Sequence, residues 1–92
     1  MNIPNKVFTN QATNASSVAV VCYGQFQTVL LQGGFGGGSV ALEVSADGVT
    51  WTPLTTTAVA SVINFQLADG FSVRLTLSGA TAATLNAWIG YA

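Results

Sequence analysis

Apolar residues alternate with small or polar residues along much of this chain, so that every second position is hydrophobic. The pattern is clear in VALEVS (residues 40–45), INFQL (63–67), VRLTLS (73–78) and LNAWIGY (85–91). Successive side chains of a β-strand point to opposite faces of a sheet, so this period of two predicts strands with one face toward a core. No segment keeps a period of 3.6 residues for three turns, and helices are therefore not expected.

Glycines and short polar segments separate these runs at intervals of roughly ten residues, a spacing typical of a β-sandwich or a small barrel. The predicted strands are 17–23, 27–33, 38–45, 50–56, 60–67, 71–78 and 83–91. We therefore predict an all-β fold: a single antiparallel β-sandwich, jelly-roll-like or immunoglobulin-like, of about seven strands.

The beginning of the chain differs from the rest in composition and in pattern. Residues 1–16 are polar, rich in Asn and Thr, and show no repeating apolar face. We predict that they form an extended N-terminal arm that becomes ordered against a partner, and that residues 17–92 form the β-sandwich domain. A chain of 92 residues is long enough for one domain with a single core.

Charged residues are scarce: they make up 5% of the chain, against roughly 25% in an ordinary soluble domain. The net charge is −1. Because nucleic acids and anionic membranes are bound through many Lys and Arg side chains, neither is expected as a partner. No apolar stretch approaches the roughly 20 residues that span a bilayer, and no secretion signal is expected. Neutral Thr, Ser, Asn and Gln fill the outward positions instead, which suits a surface that neighbouring proteins cover.

The groups needed for catalysis are not assembled in this sequence. It has no His, and its single cysteine, Cys22, lies in an apolar run that predicts a buried thiol. Asp47 and Asp69 each lie in an ADG turn, and Glu43 is placed to pair with Arg74 on a neighbouring strand. Acid–base, nucleophilic and zinc chemistry therefore lack their parts, so we expect no enzyme activity, no metal and no cofactor.

The glycine-rich segment GGFGGG (residues 33–38) superficially matches a dinucleotide-binding fingerprint. That fingerprint requires a loop that opens a helix, whose N-terminus faces the pyrophosphate. Here the loop leads into SVALEVS, a predicted strand, and no Lys-Ser/Thr pair follows. We therefore interpret it as a structural reversal between two strands.

A hairpin is predicted at SADGVTW (residues 45–51). Asp47-Gly48 between alternating strands indicates a tight turn, because both residue types tolerate a positive φ. The alternative is a glycan platform, in which Trp51 stacks on a sugar ring and Asp47 accepts hydrogen bonds from its hydroxyls. The residues alone leave both interpretations open.

Four aromatic residues are candidates for contact with other subunits: Phe8, Phe35, Trp88 and Tyr91. Trp88 falls on the polar side of its strand, and outward tryptophans are enriched in protein interfaces. Alternatively, Trp88 covers a sheet edge or packs under the arm. Phe35, flanked by glycines, either tucks inward or projects toward a neighbour.

Two segments carry a resemblance to a known group of proteins. TVLLQGGFGGGSVALEVSADGVTWTPLT and LADGFSVRLTLSGA, which cover about residues 28–79, resemble small all-β virion proteins of tailed bacteriophages. The SADGVTW hairpin is also similar to one in discoidin-type carbohydrate modules, which are longer and often disulfide-bonded.

The phage resemblance implies a capsid decoration (cement) protein, made in the host cytoplasm and bound to the outside of the head in the virion. Its partners would be the major capsid protein and further copies of itself, as a homo-trimer or another homo-oligomer. A tail, neck or head-fibre component is the alternative within that resemblance. A carbohydrate-binding protein used in host attachment, centred on Trp51 and Asp47, is the alternative from another class.

Overall fold

Nine strands form the fold that the computed structural model describes for residues 4–92. The strands are β1 (Asn5–Gln11), β2 (Ala15–Ser16), β3 (Val20–Val21), β4 (Phe26–Gly34), β5 (Ser39–Ser45), β6 (Thr52–Thr57), β7 (Ser61–Gln66), β8 (Ser72–Ser78) and β9 (Thr84–Tyr91). Within these residues no helix is long and apolar enough to cross a membrane.

The strands build two antiparallel sheets. The first has the order β1-β9-β4-β7, and the second has the order β2-β8-β5-β6, with β3 also paired to β8. With β2 and β3 counted as one interrupted strand, the pairs are nested: β1 with β9, β2/β3 with β8, β4 with β7, and β5 with β6. This long hairpin folds over, so that β9 also meets β4 and β8 also meets β5. The predicted all-β, sandwich-like architecture is confirmed.

The core lies between the two sheets and is built from the alternate positions that the sequence pattern indicates. Burying a Val, Leu, Ile or Phe side chain stabilises a fold by about 1.5–3 kcal/mol. The buried hydrophobic residues are Phe8, Cys22, Val29, Leu31, Phe35, Val40, Leu42, Val73, Leu75, Leu77, Ala83, Leu85, Ala87 and Ile89.

One buried polar side chain, Gln27, has a hydrogen-bond partner for both its amide nitrogen and its oxygen. Its Nε2 donates to the Gly24 carbonyl at 3.1 Å, and its Oε1 accepts from the Leu67 amide at 2.7 Å. A buried amide without partners would cost free energy, so these two bonds let the side chain link two chain segments at one end of the sandwich.

The arm predicted for residues 1–16 is, over its described part, built into the sandwich. Residues 1–3 lie outside the described residues, β1 pairs with β9, and β2 pairs with β8. Phe8 holds β1 in place because its side chain is only 4% exposed and belongs to the core. This strand was not predicted because register shifts on both sides of Phe8 interrupt the alternation of apolar and polar residues.

The glycine-rich segment is a close-packed turn. At Gly36 the backbone φ is +60°, and a Cβ atom would lie 2.4 Å from the Thr81 carbonyl oxygen. Phe35 turns inward and is 7% exposed, so it closes the core beneath this turn. The loop is therefore held by contact with the segment that joins β8 to β9, and glycine is required where the two backbones meet.

Two neighbouring glycines allow a controlled test of this packing. Gly37 also has a positive φ, +78°, but a Cβ there would meet nothing within 4 Å. We expect Gly37→Ala to cost about 1–2 kcal/mol from the left-handed backbone alone. Gly36→Ala should cost distinctly more, because it must also displace the Thr81 backbone. Urea unfolding of both variants measures the difference, and equal losses would contradict the close contact.

Candidate interaction surface

The outer face of the first sheet carries a row of residues that runs across all four strands. Lys6 of β1 pairs with Trp88 of β9, Trp88 pairs with Leu30 of β4, and Leu30 pairs with Val62 of β7. Directly opposed residues of an antiparallel sheet share a face. Each member of the row alternates with inward residues of its own strand, so the row lies on the outside.

Apolar surface is exposed along this row. Val62 and the nearby Phe26 are each 59% exposed. Beside them is a shallow, mostly apolar depression of about 310 Å³. It is lined by Pro4, Thr28, Leu30, Trp88 and Gly90. We call the surface formed by Pro4, Phe26, Leu30, Val62, Trp88 and the depression the Trp88 face.

Trp88 itself is half-buried, and β1 accounts for part of its cover. The Lys6 ammonium nitrogen lies 4.9 Å from the centroid of the tryptophan ring, which is a cation–π contact. Gly90 lies close to Pro4, since a Cβ at Gly90 would be in ordinary van der Waals contact with the proline ring at 3.5 Å. The tryptophan therefore contacts the first strand and also lines the open depression.

Uncharged hydrogen-bonded pairs border the Trp88 face. The Thr28 hydroxyl donates to Asn64 Oδ1 at 2.8 Å. On the other side, the Asn10 backbone N–H donates to Asn86 Oδ1 at 3.1 Å. An apolar centre with a polar border is the usual anatomy of a protein interface, and the charged side chain beside this one, Lys6, lies against the Trp88 ring.

The other predicted contact residues occupy different places. Phe8 and Phe35 are core residues, because each fills space between the sheets. Tyr91 is half-buried against the core at one end of the sandwich. Its ring meets Tyr23 edge-on, with centroids 6.0 Å apart and an interplanar angle of 72°. Only Trp88 of the four lies on the Trp88 face.

Leu30, Val62, Phe26 and Pro4 were not anticipated as surface residues. A signal was present in two of them: Leu30 falls between Thr28 and Gln32 on the polar side of its strand, and Val62 shares a side with Asn64 and Gln66. A single apolar residue on the polar side of one strand does not by itself indicate a binding surface. These residues form a surface because the strand register places them in one row.

The 45–51 hairpin satisfies its own polar groups. Asp47 Oδ1 accepts hydrogen bonds from the amides of Val49 at 2.8 Å and Thr50 at 2.9 Å, and from the Ser45 hydroxyl at 2.9 Å. These bonds, led by the one from Thr50, lower the pKa of the Asp47 carboxyl to about 2. The carboxylate therefore acts first as the organiser of its own turn.

Trp51, the other half of the possible glycan platform, is covered by a basic side chain. The Arg74 guanidinium carbon lies 4.4 Å from the centroid of the Trp51 ring. Arg74 Nε also donates to Glu43 Oε1 at 2.8 Å, the ion pair that the strand pattern indicated. A hydrogen bond from the Thr76 hydroxyl, together with Arg74, lowers the pKa of Glu43 against the opposing effect of burial. One face of the ring is thus already occupied.

Cys22 is fully buried, and burial raises the pKa of its thiol to about 11. The remaining acid, Asp69, accepts a hydrogen bond from the Gly24 amide. Among residues 4–92, no group of three or more His, Cys, Asp or Glu side chains is placed to hold a metal ion.

Comparisons with known protein families, with characterised proteins and with solved structures find no match for this chain. A function for this chain therefore rests on its own sequence and on the geometry of its residues.

The Asp47 turn makes stability depend on acid pH. Because its folded pKa lies below the ordinary value of 3.8, the ionised carboxylate stabilises the fold above that value, and the contribution is lost as the pH falls from about 4 to about 2. We expect Asp47→Asn to be less stable than the native chain at neutral pH, and the difference to shrink across that interval. Urea unfolding at several pH values measures it. A difference that is constant from neutral pH to pH 2 would contradict the assignment.

Proposed function

We propose that this chain is a non-enzymatic structural protein that attaches to a larger protein assembly through the Trp88 face. The assembly that fits the sequence resemblance is the head of a tailed bacteriophage, where the chain would act as a capsid decoration protein. The observation that carries the proposal is the outward apolar row of half-buried Trp88 and Leu30 and exposed Val62, on a chain with only five charged residues.

Apolar surface that is exposed to water lowers its free energy when a partner covers it. Exposed apolar patches with polar borders mark interaction sites on proteins that otherwise bury their hydrophobic residues. Tryptophan is among the residues that most often dominate binding free energy when a partner covers it. Trp88 is the largest side chain of the row and lines an open depression, which suits such an anchor.

The nested strand pairing also supports the proposal, although it concerns only the fold type. A long hairpin that folds over into two sheets is the strand order of the jelly roll, and we assign this chain to that type rather than to the immunoglobulin type. Jelly rolls occur in viral capsid proteins and in lectins, among others. Because one fold serves many functions, the strand order supports the proposal only together with the surface.

A decoration protein of this kind would act by mass action. A protein that binds the assembled lattice and not its separated subunits shifts the equilibrium away from disassembly. The neutral surface is suited to this role, because close packing of many copies brings few like charges together.

The carbohydrate-binding alternative receives less support from the geometry. A sugar at this hairpin would have to compete with the turn's own hydrogen bonds to Asp47 and with Arg74 on the Trp51 ring. We therefore place the contact with a partner on the first sheet and not on the hairpin.

A pair of substitutions tests the Trp88 face. Trp88→Thr should keep the chain folded and weaken binding to purified heads by about thirtyfold or more, because a hot-spot residue contributes 2 kcal/mol or more. Leu54→Thr is the matched control, since it removes an apolar side chain that is 49% exposed on the second sheet. Co-sedimentation with heads measures binding, and urea unfolding verifies the fold. Equal binding by both variants would overturn the role of Trp88.

The virion assignment has its own test. Quantitative mass spectrometry of purified phage particles gives the ratio of this chain to the major capsid protein. We expect a number of copies that scales with the capsid lattice. A count of only a few copies per particle would place the chain in the tail, neck or fibres, and absence from particles would overturn the virion assignment.

A further inference from the structure

The free edge of β7 is the second surface of interest. β7 pairs with β4 through six consecutive residue pairs, from Ser61 with Leu31 to Gln66 with Phe26, without a register shift. Within residues 4–92, no strand pairs with its other side. Such a strand presents a row of backbone donors and acceptors to which another strand can bind.

The other sheet edges carry features that discourage pairing, and β7 carries none of them. β1 has Lys6, two register shifts and a positive φ at Asn10. β6 contains Pro53 opposite a register shift, and β2 and β3 are two residues each. Lysine, proline, bulges and shortness are the usual means by which proteins protect sheet edges. β7 (SVINFQ) is regular and has no charge or proline.

The hydrogen-bonding phase of β7 follows from its neighbour. Phe26 and Ala92 exchange two backbone bonds, of 3.1 and 2.8 Å, so Phe26 directs its amide and carbonyl toward β9. Because this direction alternates along an antiparallel strand, Gln27 directs its groups toward β7, where Phe65 opposes it. It follows that Val62, Asn64 and Gln66 direct their backbone groups away from β4, toward the free edge.

We propose that β7 pairs antiparallel with β7 of a second copy of this chain about a two-fold axis at Asn64. Asn64 then faces Asn64 of the other copy, and Val62 faces its Gln66. All the outward backbone groups of the three residues are used, in about six hydrogen bonds. On the inner side, Ile63 of one copy lies opposite Phe65 of the other, an apolar pair of the kind that stabilises antiparallel strands.

Two observations favour a second copy as the occupant. Ile63 and Phe65 face the core but remain half-buried, because β7 is the last strand of its sheet, and a further strand would cover both. Residues 48–68 contain no charged side chain, so two copies of β7 meet without repulsion. A two-fold pair is a closed arrangement in which each copy supplies the same surface. It is independent of attachment to a capsid.

The test uses two variants that differ in their distance from the edge. Asn64→Lys and Thr28→Lys each add one positive charge to the same face, and each removes the same Thr28–Asn64 hydrogen bond. Only Asn64→Lys brings two lysines directly opposite each other across the two-fold axis. In sedimentation velocity over a wide range of protein concentration, we expect a dimer for the native chain and for Thr28→Lys, and loss of the dimer for Asn64→Lys.

The other results would overturn the proposal. A native chain that stays monomeric throughout excludes a second copy, and leaves the edge to a strand of another protein. Loss of the dimer in both variants would place the contact on the Trp88 face, which Thr28 lines.

Hydrogen exchange of the native chain is a second measurement, and it applies even if Asn64→Lys does not fold. The amides of Val62, Asn64 and Gln66 should gain protection as the concentration rises, whereas those of Ile63 and Phe65 should be protected at every concentration. Concentration-independent exchange at the first three would also overturn it.

Discussion

The pairing of β4 with β9 is the contact on which the rest of this fold depends. It runs without interruption from Gln27 with Tyr91 to Gly34 with Thr84, and it joins the first half of the chain to its last strand. Pairing over so large a sequence separation carries a cost in chain entropy that the buried residues on both strands must offset. Where the pairing ends, the glycine-rich turn packs against the backbone that leads into β9, and Phe35 closes the core.

The same pairing creates the surface to which we assign the function. Leu30 and Trp88 are distant in sequence and become neighbours only because β4 and β9 are in this register. A shift of β4 by one residue would turn Leu30 toward the core and expose Val29 and Leu31, whereas the same shift of β9 would turn Trp88 inward and expose Ala87 and Ile89. The inner packing and the Trp88 face are therefore specified by one register, so the core residues also determine which side chains lie on that face.

Much of the fold could be predicted from local patterns. The predicted strands from 27–33 onward lie within about two residues of the observed ones, because each alternates cleanly between core and surface. A chain reversal at Asp47-Gly48 followed from residue types alone, but it is a loop over residues 46–51 and not a tight turn, and of the pair Gly48 has the positive φ. β1 could not be predicted, since Phe8 is the one residue of that strand that is fully buried. The Trp88 face was predicted only at Trp88, because the remaining residues are brought together by register, a long-range property that no local pattern records.

Charge has local roles throughout this molecule. Glu43, Arg74 and Trp51 form one contact group on the second sheet, and Lys6 lies over Trp88. Asp47 and Asp69 bind backbone amides in turns. Each charge therefore fixes a particular side chain or turn, and long-range electrostatic attraction contributes little to how partners approach. Recognition would depend on shape and apolar contact.

The burial of Cys22 has a consequence for how the protein is oxidised over time. A thiol that is both inaccessible and held in its protonated form does not react with oxidants or alkylating reagents while the fold is closed. As the single cysteine of the chain, it becomes reactive only in those molecules that have opened. Its modification therefore reports opening of the closed sandwich, and a long-lived assembly built from such chains would accumulate oxidised subunits as its chains open.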